Sequence, residues 1–497
     1  MLRRNHSINN LGGQGIFTCL RFRFSGNLLL DEFIHLRILV MLQIANGKLS
    51  QNCMGVSRRS ALKAGWLGLL GLTSADLFRL RAEGKAQRND KSVILLWLDG
   101  GPSHMETYDP KPEAPIEYRG PWDAIETNVS GIRFSEKLPL SAKHADKMCV
   151  LRSVHHDNGD HFAAAHWMLT GRLGSTTKDK PQKFPSVGSC VSRVKGPNAK
   201  GLPAYVGLPA AESVYLYPGY QGAAYLGSAY DPFQLNMRQK YLAAASKGKI
   251  QKPPVMNNLS GELSRVGGRL GLLDGLDGIR RAVDKSGAME NMDKYNQEAT
   301  DMILGDKARF AFDIEKETPD LRDRYGRGPW GHYTLMARRL VEAGVSFVTV
   351  DMPHWDTHSK IKTALEVRLP YLDLAVSGLL QDLADRSLLD DVLVVVMGEF
   401  GRTPKLNSGQ TGIPIPGRDH WGQAMSVILA GGGLRMGQLI GDTNDKGEHP
   451  VERPLTPGDV LATIYHVLGI DYRRSFPDFA GRPVPLVDTG QPIKEII

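Results

Sequence analysis

Two uninterrupted apolar runs dominate the pattern along the chain. Ser92-Val93-Ile94-Leu95-Leu96-Trp97-Leu98 leads into Asp99-Gly100-Gly101, and Val392-Leu393-Val394-Val395-Val396-Met397 leads into Gly398-Glu399-Phe400-Gly401-Arg402. Short runs without alternation read as strands buried on both faces of a parallel sheet, and the C-terminal ends of such strands carry ligands. A third strand is expected at Val345 to Val350, after an amphipathic helix that ends near Ala343 and is stopped by Gly344. Leu369 to Leu383 is helical in period, and Ala424 to Ala430 reads as a strand ending in three glycines. Helix followed by strand, repeated, predicts an α/β fold: a large, mostly parallel central sheet with helices on both faces.

From about residue 195 to residue 329 the pattern changes. Gly, Lys, Asn and Met become frequent, and Tyr205, Tyr215, Tyr217, Tyr220 and Tyr225 cluster early, so an insertion or cap over the sheet is expected there. Upstream, Arg58-Arg59 precedes a short apolar stretch from Ala64 to Leu72, too short for a permanent membrane span. That arrangement reads as a twin-arginine export signal over residues 54–86. Met54 is then the expected start, residues 1–53 a mis-assigned leader, and residues 87–497 the folded domain, delivered to the periplasm or secreted. No stable transmembrane anchor is expected, because Asp31, Glu32, His35 and Arg37 interrupt the earlier apolar segment.

The net charge of +8 changes the picture only until it is located. Residues 1–90 hold 13 Lys and Arg against 5 Asp and Glu, which accounts for all of it. The remainder is neutral and carries no electrostatic footprint for nucleic acid. Two of the four cysteines, Cys149 and Cys190, fall in the folded domain. An oxidising compartment would permit their pairing, while the apolar run around Cys149 fits a core position equally well.

Four clusters carry candidate chemistry. Asp99 leaves its strand into Gly100-Gly101-Pro102-Ser103-His104, where glycines let backbone approach a ligand. His155-His156-Asp157-Asn158-Gly159-Asp160-His161, continuing to His166, concentrates imidazoles beside carboxylates, which suits a metal or an anion. His161 and His166 are five residues apart, about 140° around a helix, so one ion cannot take both. His354-Trp355-Asp356-Thr357-His358 follows the third strand and can bind an ion through Asp356 and His358. Glu399 and Arg402 join Gly417-Arg418-Asp419-His420-Trp421, where an arginine fork suits a tetrahedral oxyanion and His420 adds a nitrogen ligand. Solvated salt bridging is the competing account of Arg418 and Asp419.

Taken in order, these strands and clusters resemble the alkaline phosphatase and sulfatase superfamily, closest to a twin-arginine-exported bacterial branch. Asp99 matches its first metal aspartate. Leu169-Thr170-Gly171-Arg172 resembles the end of the segment that starts with the sulfatase nucleophile, and Thr456 to Ile464 with Leu468 to Asp471 is similar to the closing helix and turn. Two departures stand out. His161 occupies the place of the sulfatase cysteine or serine, which excludes a formylglycine nucleophile there, and Glu399-Phe400-Gly401 replaces Asp-His-Gly.

The resemblance implies an alkaline-phosphatase-like architecture and metal-dependent hydrolysis of sulfate or phosphate esters, on a small molecule or a polysaccharide. Asp99, Asp356, His358, Glu399 and His420 would hold one or two divalent ions, with zinc, calcium and manganese all compatible. His161 would act as base or nucleophile, Ser103, Thr107 and Ser153 are hydroxyl alternatives, and Arg402 or Arg418 would clamp the oxyanion. The alternative is a non-catalytic metal-binding or assembly protein of the cell envelope that retains the fold and engages an envelope protein partner.

Overall fold

Ser92–Trp97 (β1) is buried at every position because it lies between two parallel neighbours in the middle of a sheet. The computed structural model describes residues 90–174, 183–210, 221–235 and 306–497. All of these fall in one unit, Asn89–Ile497. The expected leader and export signal, residues 1–53 and 54–86, lie outside the described residues.

Met148–Val154 (β2), Tyr205–Leu208 (β3), Phe233–Gln234 (β4), Phe347–Asp351 (β5), Val392–Met397 (β6), Met425–Gly431 (β7) and Gln438–Ile440 (β8) complete the sheet. Its eight strands run in the order β8-β2-β7-β6-β1-β5-β3-β4. β7 is antiparallel to both neighbours, and every other pairing is parallel. In register, Trp97 faces Asp351 on one side and Met397 on the other, so β1, β5 and β6 end at one edge. That edge receives the loops that follow Trp97, Asp351 and Met397.

The uninterrupted apolar runs follow from two-sided burial. Ile94 and Leu96 join one core with the helices Pro329–Ala343 and Ile361–Asp385, while Val93, Leu95 and Trp97 join another with His161–Thr170 (α1), Val187–Val194 and Pro457–Val467. β6 divides in the same way, with Val394 and Val396 on the first face and Leu393, Val395 and Met397 on the second. The fold class expected from the hydropathy pattern is therefore the one observed.

Two local expectations change. Tyr205–Leu208, inside the stretch expected to be an insertion, pairs with Phe347 to Val350 as part of the main sheet, and Phe233–Gln234 pairs beside it. Strands of four and two residues are too short to mark themselves by periodicity. Residues 236–305 of that stretch lie outside the described residues. The helix expected from Leu369 starts eight residues earlier, at Ile361, with Pro370 inside it. Cys149 and Cys190 are separate buried thiols, each pushed up to about 12 by burial, so no disulfide joins them. Among the described residues no helix is long and apolar enough to cross a membrane.

Leu95→Ala, at a position 1% exposed in the central strand, should lower unfolding free energy by about 2–5 kcal/mol. Denaturant titration measures it; a loss near zero would show that β1 is not central to the core.

Candidate metal centre

The turn after β1 brings the loop after β5 within van der Waals distance. Gly100 has φ +109, and a Cβ on it would stand 2.6 Å from the Asp356 backbone nitrogen; Gly101 has φ +76 and lies against the Phe400 ring. Only residues without a side chain allow that approach. Trp355 N–H donates to the Asp99 carbonyl at 3.1 Å, and Asp99 N–H to the Met352 carbonyl at 3.1 Å. His354 turns the loop with φ 82, a left-handed conformation uncommon outside glycine, and delivers Asp356 to the sheet edge.

β2 feeds the same edge from the far side of β7. After it, His156 donates Nε2–H to the Glu399 carbonyl at 2.7 Å, and Asp160 caps α1 by accepting from the Phe162 and Ala163 amides at 3.0 and 3.1 Å. The cap fixes His161 at the first helical position. His420 comes from a two-residue ribbon in which it pairs with Arg402.

Asp356 is the meeting point of these elements. Its Oδ1 lies 2.9 Å from His358 Nε2, 3.1 Å from His420 Nε2 and 2.7 Å from Arg402 Nη2, while Oδ2 lies 3.6 Å from His161 Nε2. Donor atoms of His161, Asp356 and His420 all fall within 4.8 Å of one another. His358 stands beside them, its Nε2 3.0 Å from that of His420. Two nitrogens and a carboxylate oxygen at this spacing form a donor set that fits a divalent cation.

Electrostatics follow from the contacts. Burial would raise the Asp356 carboxyl, but hydrogen bonds from His161, His358 and His420 and the Arg402 charge hold it far below the usual carboxylate range. Burial works against a charged His161, yet hydrogen bonds to Asp356 and Glu399 outweigh it and push the imidazole up to about 9. His358 is raised by its hydrogen bond to Asp356, against burial and with help from Asp419.

The expected residues divide into three groups. Asp356, His358, His420 and His161 come together. Asp99 and Glu399 are fully buried at the same strand edge but outside the 4.8 Å trio. The two arginines expected to clamp an oxyanion are engaged elsewhere. Arg418 is fully buried and donates to Glu106 at 2.7 Å, to the Tyr118 and Thr403 carbonyls at 2.7 and 3.0 Å, and to Pro404. Arg402, also fully buried, donates to the Gly100, Gly101 and Arg418 carbonyls besides Asp356. A buried guanidinium with every nitrogen already donating holds the protein together rather than a substrate.

The hydroxyl alternatives are likewise interior. Ser103 is 1% exposed, Thr107 donates to the Ser103 carbonyl at 2.7 Å and Ser153 to the Arg453 carbonyl at 2.6 Å. His166 points inward, donates to the Arg172 carbonyl at 2.8 Å and is lowered to about 4 by burial. Sequence reasoning missed Glu106, whose partner is 312 positions away, and Asn407, which donates to Asp419 Oδ2 and to the His358 carbonyl, both at 3.1 Å.

Residues 90–497 match the family described as Protein of unknown function (DUF1501). The chain belongs to the DUF1501 family. No curated protein matches it. Among solved structures, this DUF1501 chain is similar to Ps i-CgsB at 11% identity, over 77% of this chain and 72% of that one, with a TM-score of 0.35. It is also similar to the PsFucS1 sulfatase from Pseudoalteromonas sp. (14% identity, 78% and 70% covered, TM-score 0.31). A third is the phosphonate monoester hydrolase SpPMH from Silicibacter pomeroyi (11% identity, 78% and 74% covered, TM-score 0.31). Overlap this loose carries no argument about activity.

A cation bound through His161 would have to displace its proton, and without metal the imidazole is pushed up to about 9 by its hydrogen bonds to Asp356 and Glu399. Below that pH, zinc affinity should rise about tenfold per pH unit for each proton displaced. Isothermal titration at several pH values measures the slope; a flat profile would remove His161 from the ligand set.

Proposed function

We propose that the chain is an exported, metal-dependent hydrolase of sulfate or phosphate esters. The observation that carries this reading is the convergence of imidazole and carboxylate donors from His161, Asp356 and His420 at the C-terminal edge of a largely parallel sheet. The resemblance of the strand ends to the alkaline phosphatase and sulfatase pattern supports it. An imidazole-rich set suits zinc or manganese, whereas calcium takes six to eight oxygens. Such a cation, when bound, polarises an ester oxygen and lowers the pKa of a water.

The chain's own residues supply the rest. His161, Asp356 and His420 would hold the ion. His358, 24% exposed and tied by Nδ1 to Asp419 at 2.6 Å, is raised above the usual imidazole value by its hydrogen bonds to Asp356 and Asp419 and would be placed to give a proton to a leaving alkoxide. Phe400, stacked on His420 at 4.6 Å and 4.8 Å from His161, forms an apolar wall that limits water around the donors. With His161 engaged by Asp356 and Glu399, the attacking group in this reading would be water.

One observation favours the second reading, a non-catalytic metal-binding or assembly protein of the envelope. Both arginines near the centre are spent on internal contacts, which leaves charge neutralisation at an anionic ester to the cation and His358. Turnover separates the two. Asp356→Asn should strip the metal and abolish hydrolysis of an aryl phosphate or aryl sulfate while the circular dichroism spectrum stays that of the wild type. A metal-loaded wild type that turns over neither ester, nor a phosphonate monoester, would leave the non-catalytic reading standing.

A further inference from the structure

Each imidazole of the centre is held from behind. Nδ1 of His161 donates to Glu399 Oε1 at 2.7 Å, Nδ1 of His358 to Asp419 Oδ1 at 2.6 Å, and Nδ1 of His420 to the Gly159 carbonyl at 2.7 Å. In each ring Nε2 is thereby turned toward Asp356. Histidines that bind metal typically donate their other ring N–H to a carboxylate or a backbone carbonyl, which fixes both tautomer and orientation.

Glu399 occupies the position expected of a ligand, at the end of a central strand, but its contacts are those of a support. It is fully buried, and its Oε1 accepts a second hydrogen bond, from the Gly100 amide at 2.9 Å. One carboxylate oxygen thus ties the turn after β1 to the first residue of α1. Its other oxygen, Oε2, accepts no hydrogen bond from the described residues. That oxygen is where a direct bond to a cation would form if Glu399 were a ligand.

We propose that Glu399 is a positioning residue: it holds His161 through Nδ1 so that Nε2 is presented to the cation, and it does not bind the cation itself. The assignment rests on the metal centre proposed above. Its consequence is that any effect of Glu399 on the metal passes through His161. Gln at this position keeps an acceptor for Nδ1–H and loses the charge, so Glu399→Gln weakens the hold without removing it.

Cobalt(II) titration of the full chain, followed by visible absorption, tests this with the wild type, Glu399→Gln, His161→Ala and the double variant. Glu399→Gln should lower cobalt affinity about 10- to 100-fold and leave the band positions unchanged. Added to His161→Ala, it should cost nothing further, because the residue it acts through is gone. Shifted bands, or the same loss in both backgrounds, would place Glu399 on the ion and overturn the assignment while leaving the metal centre intact. Should the buried substitution prevent folding, the wild type decides alone. The downfield proton shared by His161 and Glu399 should persist in the NMR spectrum on zinc loading, and its disappearance would overturn the proposal. A wild type that takes up no cobalt would end the metal centre and the hydrolase reading together.

Discussion

The Asp356 carboxylate gathers the Arg402 guanidinium and the Nε2 atoms of His161, His358 and His420 around two oxygens. The carboxylate is 23% exposed and the Arg402 side chain fully buried, so the pair is what allows the guanidinium to sit away from water. Arg402 supplies the permanent charge. It is anchored in turn by the carbonyls of Gly100, Gly101 and Arg418, so the turn after β1, the loop after β5 and the ribbon after β6 are locked to one another through a single side chain. Substituting any of them disturbs the others.

The sheet makes that lock geometrically possible. β1, β5 and β6 are adjacent, parallel and in a register that ends them together, which brings together residues that are hundreds of positions apart in sequence. Glycine at 100 and 101 then removes the side chains that would hold the loops apart. The Glu106–Arg418 pair supports the ribbon from below, since Arg418 also collects the Tyr118 and Thr403 carbonyls. The charges in this layer are arranged to fix backbone, with both guanidiniums fully buried and donating to main-chain carbonyls.

Much of the fold was legible because its central strands are buried on both faces. Val392–Met397 is apolar throughout and Ser92–Trp97 is apolar after its first residue, and runs of that kind have few other interpretations. Tyr205–Leu208 was not legible: four residues containing Gly207 give no periodic signal, and its pairing with β5 and β4 makes it a strand. At the site, residue type pointed to Asp356, His358 and His420 as candidates, and the structure brings them together. Residue type misled for Arg402 and Arg418, whose forks serve backbone carbonyls as readily as an oxyanion. What separates the uses is burial and long-range partners such as Glu106, and neither is written locally in the chain. Solvated salt bridging, the competing account of Asp419, fits its exposure, but its contact with His358 Nδ1 appears only in three dimensions.

X-ray absorption at the metal edge of protein purified without chelator addresses the central claim, that these side chains form one cation site, most directly. The account predicts one ion with imidazole nitrogen and carboxylate oxygen in its shell, at about 2.0–2.2 Å for zinc. A shell of oxygens alone, or no bound metal, would contradict it.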